Sequence, residues 1–447
     1  MLSTYATHGG AAGAALRHHD ALRSVGVQST MVVLEADPPP DRAILTVAGR
    51  PCDAENAELR RLVDRIAIRS NRTGLSTAWF SWPLDGVDLT SVPAVCDADV
   101  LSVHWVSGLL SQHQFESLFT LGKPVIITMH DEWLLTGGCH YTAGCAGFET
   151  DCLYCPQLAE DPVGVPAAVL ERRVRFGEHA AGVVVTPSRW LGEQSKRSRV
   201  FAGWRHEVIP YACDLDVFRP RDGAASRAEL GCDDDRLWLL FIAGNLADKR
   251  KGFDVLAEAL EHVACNENLT DRLGLVCVGN APEAAEALSV PVRAVGFVRD
   301  EEQLARIYSA CDGLVLPSRE ENLPNTLIES LACGVPVVGS RVGGIPDFVE
   351  PGHNGYLVEP GDPDSLAKVL SDIARDPERV RSLRVACREL AESSFSVNLH
   401  ASRWLAVAAD APIGDLHEPE LDEPLQRSVI RLVEARTMGN DQNPVSS

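Results

Sequence analysis

The stretch Asp312–Ser340, DGLVLPSREENLPNTLIESLACGVPVVGS, holds the pattern that decides the fold. An apolar run is followed by a polar loop, by the helical pattern NTLIESLAC and by a second apolar run, VPVVGS. Leu323 precedes a proline and is expected to be extended, Pro324 suits the first helical position, and Gly334 is a typical helix end. Two buried strands joined by a helix indicate a parallel β-α-β unit.

The same alternation of strand and helix patterns runs through the chain twice. The predicted strands of the first half are MLSTY, STMVVL, DVLSVHWV, KPVIITMH and GVVVTPS, and WLLFIAG and RLGLVCVG add to those of the second half. A segment rich in Pro, Asp, Gly and Arg separates the two series at 208–231. We therefore predict two doubly wound, Rossmann-like α/β domains, with ligands at the carboxyl ends of their strands. The predicted ranges are 1–212, 213–395, a closing helix at 396–409 and an acidic, partly disordered tail at 410–447.

Composition excludes several classes of protein. The chain has 447 residues, of which 45% are hydrophobic and 23% charged, as in an ordinary globular protein of two domains. Its 41 basic and 63 acidic side chains give a net charge of −22, which argues against nucleic acid as the main partner. We find neither a long apolar run nor a signal-peptide pattern, so a cytoplasmic location is expected.

Two glutamates flank the start of the predicted helix in the opening stretch. Glu321 lies in the loop and Glu329 in the second helical turn, with the N–H groups of Asn325 and Thr326 between them. A helix N-terminus carries partial positive charge and unpaired donors, which favour an anion such as a diphosphate. The two carboxylates could then accept hydrogen bonds from sugar hydroxyls. On spacing alone, two solvated charges are the alternative.

A basic loop supplies a second candidate phosphate contact. In FIAGNLADKRKGFDVLAEAL (Phe241–Leu260), Lys249, Arg250 and Lys251 lie between a predicted strand and a helix that begins near Gly252. Three cations at a strand end can neutralise a diphosphate as it leaves. A solvated loop is the alternative.

Residues 318–367 together resemble glycosyltransferase family four, the retaining enzymes of the GT-B fold that use nucleotide sugars. The shared features are the two glutamates with seven residues between them, the Pro-Val-Val strand, the turn Gly-Gly-Ile-Pro-Asp and the strand Asn-Gly-Tyr-Leu-Val. The resemblance implies a GT-B fold, with two domains facing a cleft, and a UDP- or GDP-linked sugar donor. The segments HDEWLLTGGCHY and CPQL look like the subgroup tied to exopolysaccharides such as colanic acid.

The resemblance also implies roles for individual residues. Glu321 matches the glutamate that contacts the transferred sugar, Glu329 the one that holds the ribose, and Lys251 a cation on the phosphates. Asn245 stands where the family has an arginine, so Lys249 or Arg250 is expected to supply that charge. The predicted catalytic residues are His130, Lys251 and Glu321. The predicted donor-binding residues are Gly9, Gly10, Gly244, Asn245, Lys249, Arg250, Val298, Asn322, Leu323, Asn325, Thr326 and Glu329.

The implied reaction is transfer of a hexose-type sugar to a hydroxyl of a saccharide or small molecule, with retained configuration and no catalytic metal. Such a reaction would belong to polysaccharide or natural-product biosynthesis. The alternatives are a GT-B sugar-nucleotide epimerase, a phosphorylase or a non-catalytic subunit that binds a sugar nucleotide.

A group of cysteines in the predicted loop 136–158 stands apart from this pattern. Cys139, Cys145, Cys152 and Cys155 follow the spacing C-x5-C-x6-C-x2-C, which has the look of a structural zinc site. The alternatives are a loop of reduced thiols or a redox-labile pair. Four cysteine ligands would leave no open position, so such a zinc ion would brace the loop without taking part in the chemistry.

Arginines at helical spacing occur in ELRRLVDRIAIRSNR, at 61, 65, 69 and 72. Such a stripe could dock on an anionic membrane, but a solvated helix face is the favoured interpretation.

Overall fold

The computed structural model describes residues 1–36, 43–47, 64–162, 164–232, 234–267, 269–280, 285, 288–414 and 416. The chain divides into two compact units. The first comprises residues 1–187, 191–209 and those from Arg403 onward, and the second comprises 188–190 and 210–402. Among the described helices, none combines the length and the apolar character that a membrane crossing requires.

Seven parallel strands form the sheet of the first unit, in the order β3-β2-β1-β4-β5-β6-β7. The strands are β1 (Leu2–Tyr5), β2 (Met31–Glu35), β3 (Ile44–Thr46), β4 (Leu101–Val103), β5 (Val125–Thr128), β6 (Val183–Thr186) and β7 (Arg205–Val208). The helices are α1 (Gly10–Ser24), α2 (Pro93–Cys96), α3 (Gln112–Ser117), α4 (Val165–His179) and α5 (Arg189–Arg197). Every residue of β5 and β6 is buried, as expected for central parallel strands covered on both faces.

Six parallel strands form the sheet of the second unit, in the order β10-β9-β8-β11-β12-β13. They are β8 (Leu237–Asn245), β9 (Leu273–Asn280), β10 (Val292–Gly296), β11 (Gly313–Leu316), β12 (Val337–Ser340) and β13 (Gly355–Val358). The helices are α6 (Gly223–Leu230), α7 (Phe253–Glu267), α8 (Glu301–Ala310), α9 (Asn325–Ala332), α10 (Ile345–Phe348), α11 (Pro363–Arg375), α12 (Pro377–Arg381) and α13 (Arg384–Ser394). The last helix, α14 (Val397–Ala409), begins in this unit, and its residues from Arg403 onward belong to the first. Both units are therefore Rossmann-like, and the predicted fold class is confirmed.

An extensive apolar cluster of the second unit packs α7 and α11 against the sheet. Leu256 and Leu260 of α7 and Leu366 and Leu370 of α11 are buried with Phe241 of β8. At about 1.5–3 kcal/mol for each fully buried large apolar side chain, this cluster is a main source of stability for the unit. The packing fixes the helices that follow the loops at the carboxyl ends of the strands.

The arginine stripe departs from the predicted continuous helix. Arg61 lies outside the described residues, residues 64–68 form a π-helical turn and residues 69–71 a 3-10 turn. Arg72 folds inward, where its Nη2 donates to Ser76 O at 2.7 Å and its Nη1 to Ala78 O at 3.0 Å. The tail was predicted at 410–447. Of these residues the structure describes only 410–414 and 416.

Candidate active site

The helix start that the sequence singled out is present. The loop after β11 leads into α9, and Pro324 occupies the cap position with φ −71° and ψ 132°. The expected first helical position of Pro324 is therefore wrong by one residue, because its extended ψ keeps it outside the helix. Gly334 follows the helix with a φ of 69°, a left-handed conformation that glycine adopts without a steric penalty. Asn325 and Thr326 thus supply the first two N–H groups of α9.

Glu321 lies in this loop and binds two cations. Lys251 Nζ donates to Glu321 Oε2 at 2.6 Å, and Arg250 Nη1 donates to the same oxygen at 3.3 Å. The Glu321 side chain is 8% exposed, whereas that of Lys251 is 22% exposed. No residue in the described part of the chain donates a hydrogen bond to the second oxygen, Oε1. The carboxylate can therefore hold the two cations with one oxygen and accept a ligand hydroxyl with the other.

The charges of this cluster set its protonation. Burial acts to raise the pKa of Glu321, but the charges and hydrogen bonds of Lys251 and Arg250 outweigh burial, so the pKa lies below its ordinary value. Burial lowers the pKa of Lys251, against the opposing charge of Glu321. The carboxylate is consequently ionised at neutral pH, which suits an acceptor of hydrogen bonds and excludes a role for Glu321 as a proton donor there.

The cationic loop owes its position to a capped turn and a glycine. Residues Lys249–Lys251 form a 3-10 turn, whose preceding Asp248 accepts a hydrogen bond from Arg250 N. Gly252 has a φ of 74°, and a Cβ at this position would lie 2.0 Å from Pro317 O. Only glycine lets the loop lie this close to the end of β11. Gly252 is therefore required for packing, whereas Lys251 supplies the charge.

Arg319 ties the cationic loop to the loop of Glu321. Its guanidinium forms two hydrogen bonds with the Asp254 carboxylate, at 2.7 and 2.9 Å, and donates to Lys249 O at 2.7 Å. Its backbone N–H donates to Arg250 O at 2.8 Å. Sequence reasoning missed this arginine, since its partner lies 65 residues away and nothing in the local pattern connects them.

Two glycines support the Glu321 loop from the other side. Gly343 has a φ of 55°, and a Cβ there would lie 1.7 Å from Glu321 O. Gly344 N donates to Asn322 O at 2.6 Å, and a Cβ at Gly344 would lie 2.5 Å from Ser188 Cβ. Ser188 Oγ in turn donates to the Asn322 side chain at 2.7 Å. The Gly-Gly-Ile-Pro-Asp turn thus holds the backbone of the glutamate loop in place.

Glu329 is buried in α9 and accepts a hydrogen bond from Tyr308 Oη at 2.9 Å. The same hydroxyl lies 3.3 Å from Thr326 O in the first turn of the helix. Tyr308 belongs to α8 and is itself fully buried, so it fixes the rotamer of the carboxylate from behind. Tyr308 was not predicted from the sequence, where it reads as an ordinary core residue of an amphipathic helix.

The other predicted donor-binding residues of the second unit lie at strand ends or in loops. Gly244 and Asn245 end β8, and the Asn245 side chain accepts a hydrogen bond from Ala247 N at 2.9 Å, which stabilises the turn. Val298 is half-buried in the loop after β10, and Leu323 is buried beside Pro324. Because parallel strands end at one edge of the sheet, Gly244, Asn245 and the Glu321 loop share that edge.

In the first unit, His130 follows β5 and pairs with a second histidine. His130 Nε2 lies 3.0 Å from His104 Nδ1, and His104 Nε2 lies 3.1 Å from Ser102 Oγ. Burial lowers the pKa of His130 to about 4, against the opposing charge of Asp131. The ring is therefore neutral at neutral pH. His104 was not predicted, although it stands at the end of β4 in the same way that His130 stands at the end of β5.

Asp131 takes part in a separate network. It accepts hydrogen bonds from His140 Nδ1 at 2.7 Å and from Trp105 Nε1 at 2.8 Å, while His140 Nε2 lies 3.0 Å from Ser81 Oγ. Burial acts to raise the pKa of Asp131, but His140 and the other donors outweigh it and lower the pKa overall. This chain of polar contacts holds His140 in one orientation next to the cysteine-rich loop.

An aromatic surface adjoins this network. Trp79 is 62% exposed and packs edge-on against Trp105, with ring centroids 6.5 Å apart. Trp105 stacks on Tyr5, whose ring in turn contacts His8, one residue before the predicted glycine loop. Gly9, with a φ of 90°, precedes the first turn of α1, where Gly10 begins the helix. Nothing lies within 4 Å of a Cβ at Gly9, so its left-handed backbone is what requires glycine there.

The four predicted zinc ligands, Cys139, Cys145, Cys152 and Cys155, line a single cavity in the first unit. None of these four cysteines forms a disulfide. Within the described residues, no three His, Cys, Asp or Glu side chains are already arranged as a metal-binding group.

Comparison with known sequences matches part of the chain to a family. Residues 238–376 match the model of the family described as glycosyl transferases group 1. The D-inositol 3-phosphate glycosyltransferase of Streptomyces scabiei is 33% identical over 251 residues, which cover 53% of this chain and 55% of that protein. An enzyme of the same name from Catenulispora acidiphila is 34% identical over 48% of this chain and 53% of its own length. The chain therefore matches about half the length of these curated relatives.

Solved structures resemble the chain over most of its length. Sucrose-phosphate synthase from Thermosynechococcus elongatus superposes with a TM-score of 0.62 at 20% identity, covering 91% of this chain and 98% of that one. Anabaena HepE in complex with UDP and glucose gives a TM-score of 0.60 at 16% identity, covering 91% and 99%. At such identities the likeness establishes the fold. The chain thus has the GT-B fold, and its residues 238–376 are similar to the group 1 glycosyl transferases.

Proposed function

We propose that the protein is a retaining glycosyltransferase that moves a hexose from a nucleotide diphosphate-sugar to a hydroxyl acceptor without a catalytic metal. The observation that carries the proposal is the convergence of Lys251 and Arg250 on Glu321 beside the N-terminus of α9. The match of residues 238–376 to group 1 glycosyltransferases supports it. In this proposal residues 213–395 bind the donor and residues 1–212 the acceptor.

Each half of the donor has a matching group. The N–H groups at the start of α9 suit the diphosphate. Lys251 Nζ donates one hydrogen bond to Glu321, so its other two N–H bonds can also bind the diphosphate. Glu329, held by Tyr308, suits the ribose hydroxyls. Glu321 Oε1 suits a hydroxyl of the transferred sugar. As the diphosphate leaves, Lys251 and Arg250 stabilise its charge, so a divalent cation is not required for that role.

Neither glutamate suits a covalent mechanism. The Glu321 carboxylate accepts hydrogen bonds from two cations, which lowers its nucleophilicity, and the buried Glu329 carboxylate accepts a hydrogen bond from Tyr308 and is assigned to the ribose. We propose instead that the acceptor attacks from the side of the leaving group, with the diphosphate taking its proton. His130, neutral at physiological pH, would then donate or accept a hydrogen bond near the sugar.

The comparisons guide the choice of donor and acceptor. HepE, which shares the fold, was solved with UDP-glucose, which favours UDP over GDP as the first nucleotide to test. The curated relatives are named for an inositol phosphate acceptor. An exopolysaccharide intermediate, which the cysteine-rich loop suggested, is the competing acceptor. The exposed Trp79 and its neighbour Trp105 offer an aromatic surface for a cyclic polyol or a sugar ring. A cytoplasmic location remains a prediction.

Thermal shift with UDP, GDP and ADP tests the donor site. We expect one nucleotide to raise the melting temperature of the wild type and of Glu389→Gln, an exposed matched control in α13, but not of Glu329→Gln. Ligand at a hundred times its dissociation constant adds about 2.7 kcal/mol, or several degrees. A chain that responds to no nucleotide, or a Glu329→Gln variant that responds like the wild type, would refute the proposed donor site.

Turnover separates the transferase from its alternatives. We expect nucleotide release from the matching sugar donor to require an acceptor, to be unchanged by added Mg²⁺ or Mn²⁺ and to be lost in Glu321→Ala. The product should keep the anomeric configuration of the donor, which nuclear magnetic resonance can determine. Consumption of the donor with no acceptor would favour an epimerase, and binding without any turnover would favour a non-catalytic subunit.

A further inference from the structure

The cysteine-rich loop brings its four thiols to one small cavity. Cys139, Cys145, Cys152 and Cys155 all line it, together with Phe148 and Gln157. The cavity measures about 20 Å³, which is enough for a single water-sized species. Four cysteines from a segment of seventeen residues therefore surround one cavity.

A backbone hydrogen-bond donor already points at one of the four sulfur atoms. Gly147 N donates to Cys145 Sγ at 3.3 Å. Such donors stabilise thiolates much more than thiols, because a sulfur anion is the stronger acceptor.

A buried cation faces the same cluster. Arg173 is 1% exposed, and its Nη2 has no hydrogen-bond partner among the described residues. Its other nitrogens donate to Thr136 O at 2.6 Å, to Trp133 O and to Gln112 Oε1 at 3.2 Å. Cys152 and Cys139 are its leading electrostatic partners. An unpartnered, buried guanidinium N–H beside neutral thiols is costly, whereas beside thiolates it would be paired.

The backbone of the loop is also unusual. Ala143, Cys152 and Tyr154 have φ values of 53°, 53° and 54°, and they are the only residues other than glycine with a positive φ in the described ranges. All three lie in this loop. Non-glycine residues persist in this conformation only where their surroundings impose it.

We propose that Cys139, Cys145, Cys152 and Cys155 bind one structural Zn²⁺ ion as four thiolates. Zinc prefers four tetrahedral sulfur ligands at about 2.3 Å. The four cysteines line one cavity, and binding of the ion would draw their sulfur atoms into this arrangement. On binding, the four thiol protons are released, the loop contracts and Arg173 offsets part of the negative charge of the tetrathiolate.

The site would brace the loop and leave the chemistry to other residues. Four protein ligands leave zinc no open position. Cys139 directly precedes His140, whose ring is held by Asp131, and Thr136 Oγ1 donates to Cys139 O at 2.7 Å. Arg72 adds a clamp, since its Nη2 donates to the Gln157 side chain at 3.0 Å. The metal would thus fix the part of the first unit that carries Asp131 and His140.

Metal analysis of the full chain tests this proposal. The chain is expressed with zinc in the medium and purified under reducing conditions, and its zinc is counted by mass spectrometry. We expect about one zinc ion per chain in the wild type and in Cys265→Ser, an exposed cysteine of the second unit, and less than about a tenth of that in Cys152→Ser and Cys155→Ser. Zinc retained by either variant at the wild-type level would refute the ligand assignment.

A second measurement does not depend on whether the variants fold. After chelator treatment the wild-type chain is titrated with Co²⁺, and we expect the intense visible absorption of tetrahedral cobalt with four thiolates, displaced by one equivalent of zinc. In the metal-loaded chain, the four cysteines should resist alkylation, and after chelation they should react. A wild type that carries no zinc and gives no tetrahedral cobalt spectrum would overturn the proposal, as would a disulfide among the four cysteines.

Discussion

Replacement of Gly343 by alanine offers a sharp test of how the Glu321 loop is held. A Cβ at Gly343 would lie 1.7 Å from Glu321 O, and real Cβ atoms essentially never approach another heavy atom within 3.0 Å. The two backbones must therefore separate by about 1.3 Å, the difference between these distances. Since the atom struck is the carbonyl of Glu321 itself, the displacement is transmitted to the carboxylate that holds Lys251 and Arg250.

The matched control is Gly352→Ala. Gly352 also has a positive φ, of 80°, but nothing lies within 4 Å of its Cβ. Both variants incur about 1–2 kcal/mol for a left-handed alanine. Gly343→Ala incurs a further 1–3 kcal/mol or so of overpacking, and a displacement of about 1 Å in a catalytic group can cost about 100-fold in rate. We expect about 100-fold slower turnover in Gly343→Ala and a change of less than about twofold in Gly352→Ala.

The assay combines thermal unfolding, nucleotide affinity by calorimetry and nucleotide release from the donor. Gly343→Ala should unfold at a lower temperature than Gly352→Ala and should also bind the nucleotide more weakly. If the two variants show the same affinity and turnover, the Gly343 turn does not position Glu321 and our account of this loop is wrong.

Three further predictions concern single side chains. Lys251→Met should weaken nucleotide binding by about 10- to 100-fold, because a charge-assisted hydrogen bond is worth about 1.5–3 kcal/mol. The exposed control Lys368→Met should bind the nucleotide like the wild type, and equal affinities of the two variants in calorimetry would contradict the phosphate role of Lys251. Tyr308→Phe removes the hydroxyl that donates to Glu329 and should weaken nucleotide binding while leaving the fold intact. The control is Tyr356→Phe, at a half-buried position of β13, and unchanged nucleotide affinity in Tyr308→Phe would exclude positioning of Glu329 by Tyr308. The pKa of His130 is lowered from 6.5 to about 4, so the unfolded chain binds a proton first as the pH falls, and the free energy of unfolding should drop by up to about 3 kcal/mol between pH 6.5 and 4. His130→Asn should lose that part of the pH dependence in chemical denaturation, and a pH profile like that of the wild type would show that His130 is not buried as a neutral ring.

The sequence allowed the strands at the centre of each sheet to be predicted but not three of the four edge strands. Continuous apolar runs such as KPVIITMH and RLGLVCVG correspond to β5 and β9, which are buried on both faces. The strands that were not predicted are β3, β7 and β10, all at sheet edges. Their sequences are short or polar, as in RHEV of β7, because an edge strand is only partly covered and its pattern carries little hydrophobic signal.

The candidate site shows the same division between local and distant information. The loop with Glu321, the helix with Glu329 and the turn with Lys251 each have a local pattern, and the structure brings Glu321 and Lys251 together. The supporting residues Tyr308 and Arg319 have no such pattern, since their hydrogen-bond partners lie 21 and 65 residues away in the sequence. The pairing of histidines at the ends of β4 and β5 could have been predicted from their equivalent positions on neighbouring strands.

The partly buried pair Lys251–Glu321, within a chain of net charge −22, has a consequence for how quickly a donor arrives. A diphosphate approaching from solution is repelled by the acidic surface long before it reaches the two cations. Salt at about 0.1 M shortens the range of that repulsion to about 10 Å, while contacts inside the partly buried cluster are screened much less. Moderate ionic strength should therefore speed donor association, the opposite of the usual behaviour of electrostatically steered ligands, and stopped-flow binding at graded salt concentrations can measure this.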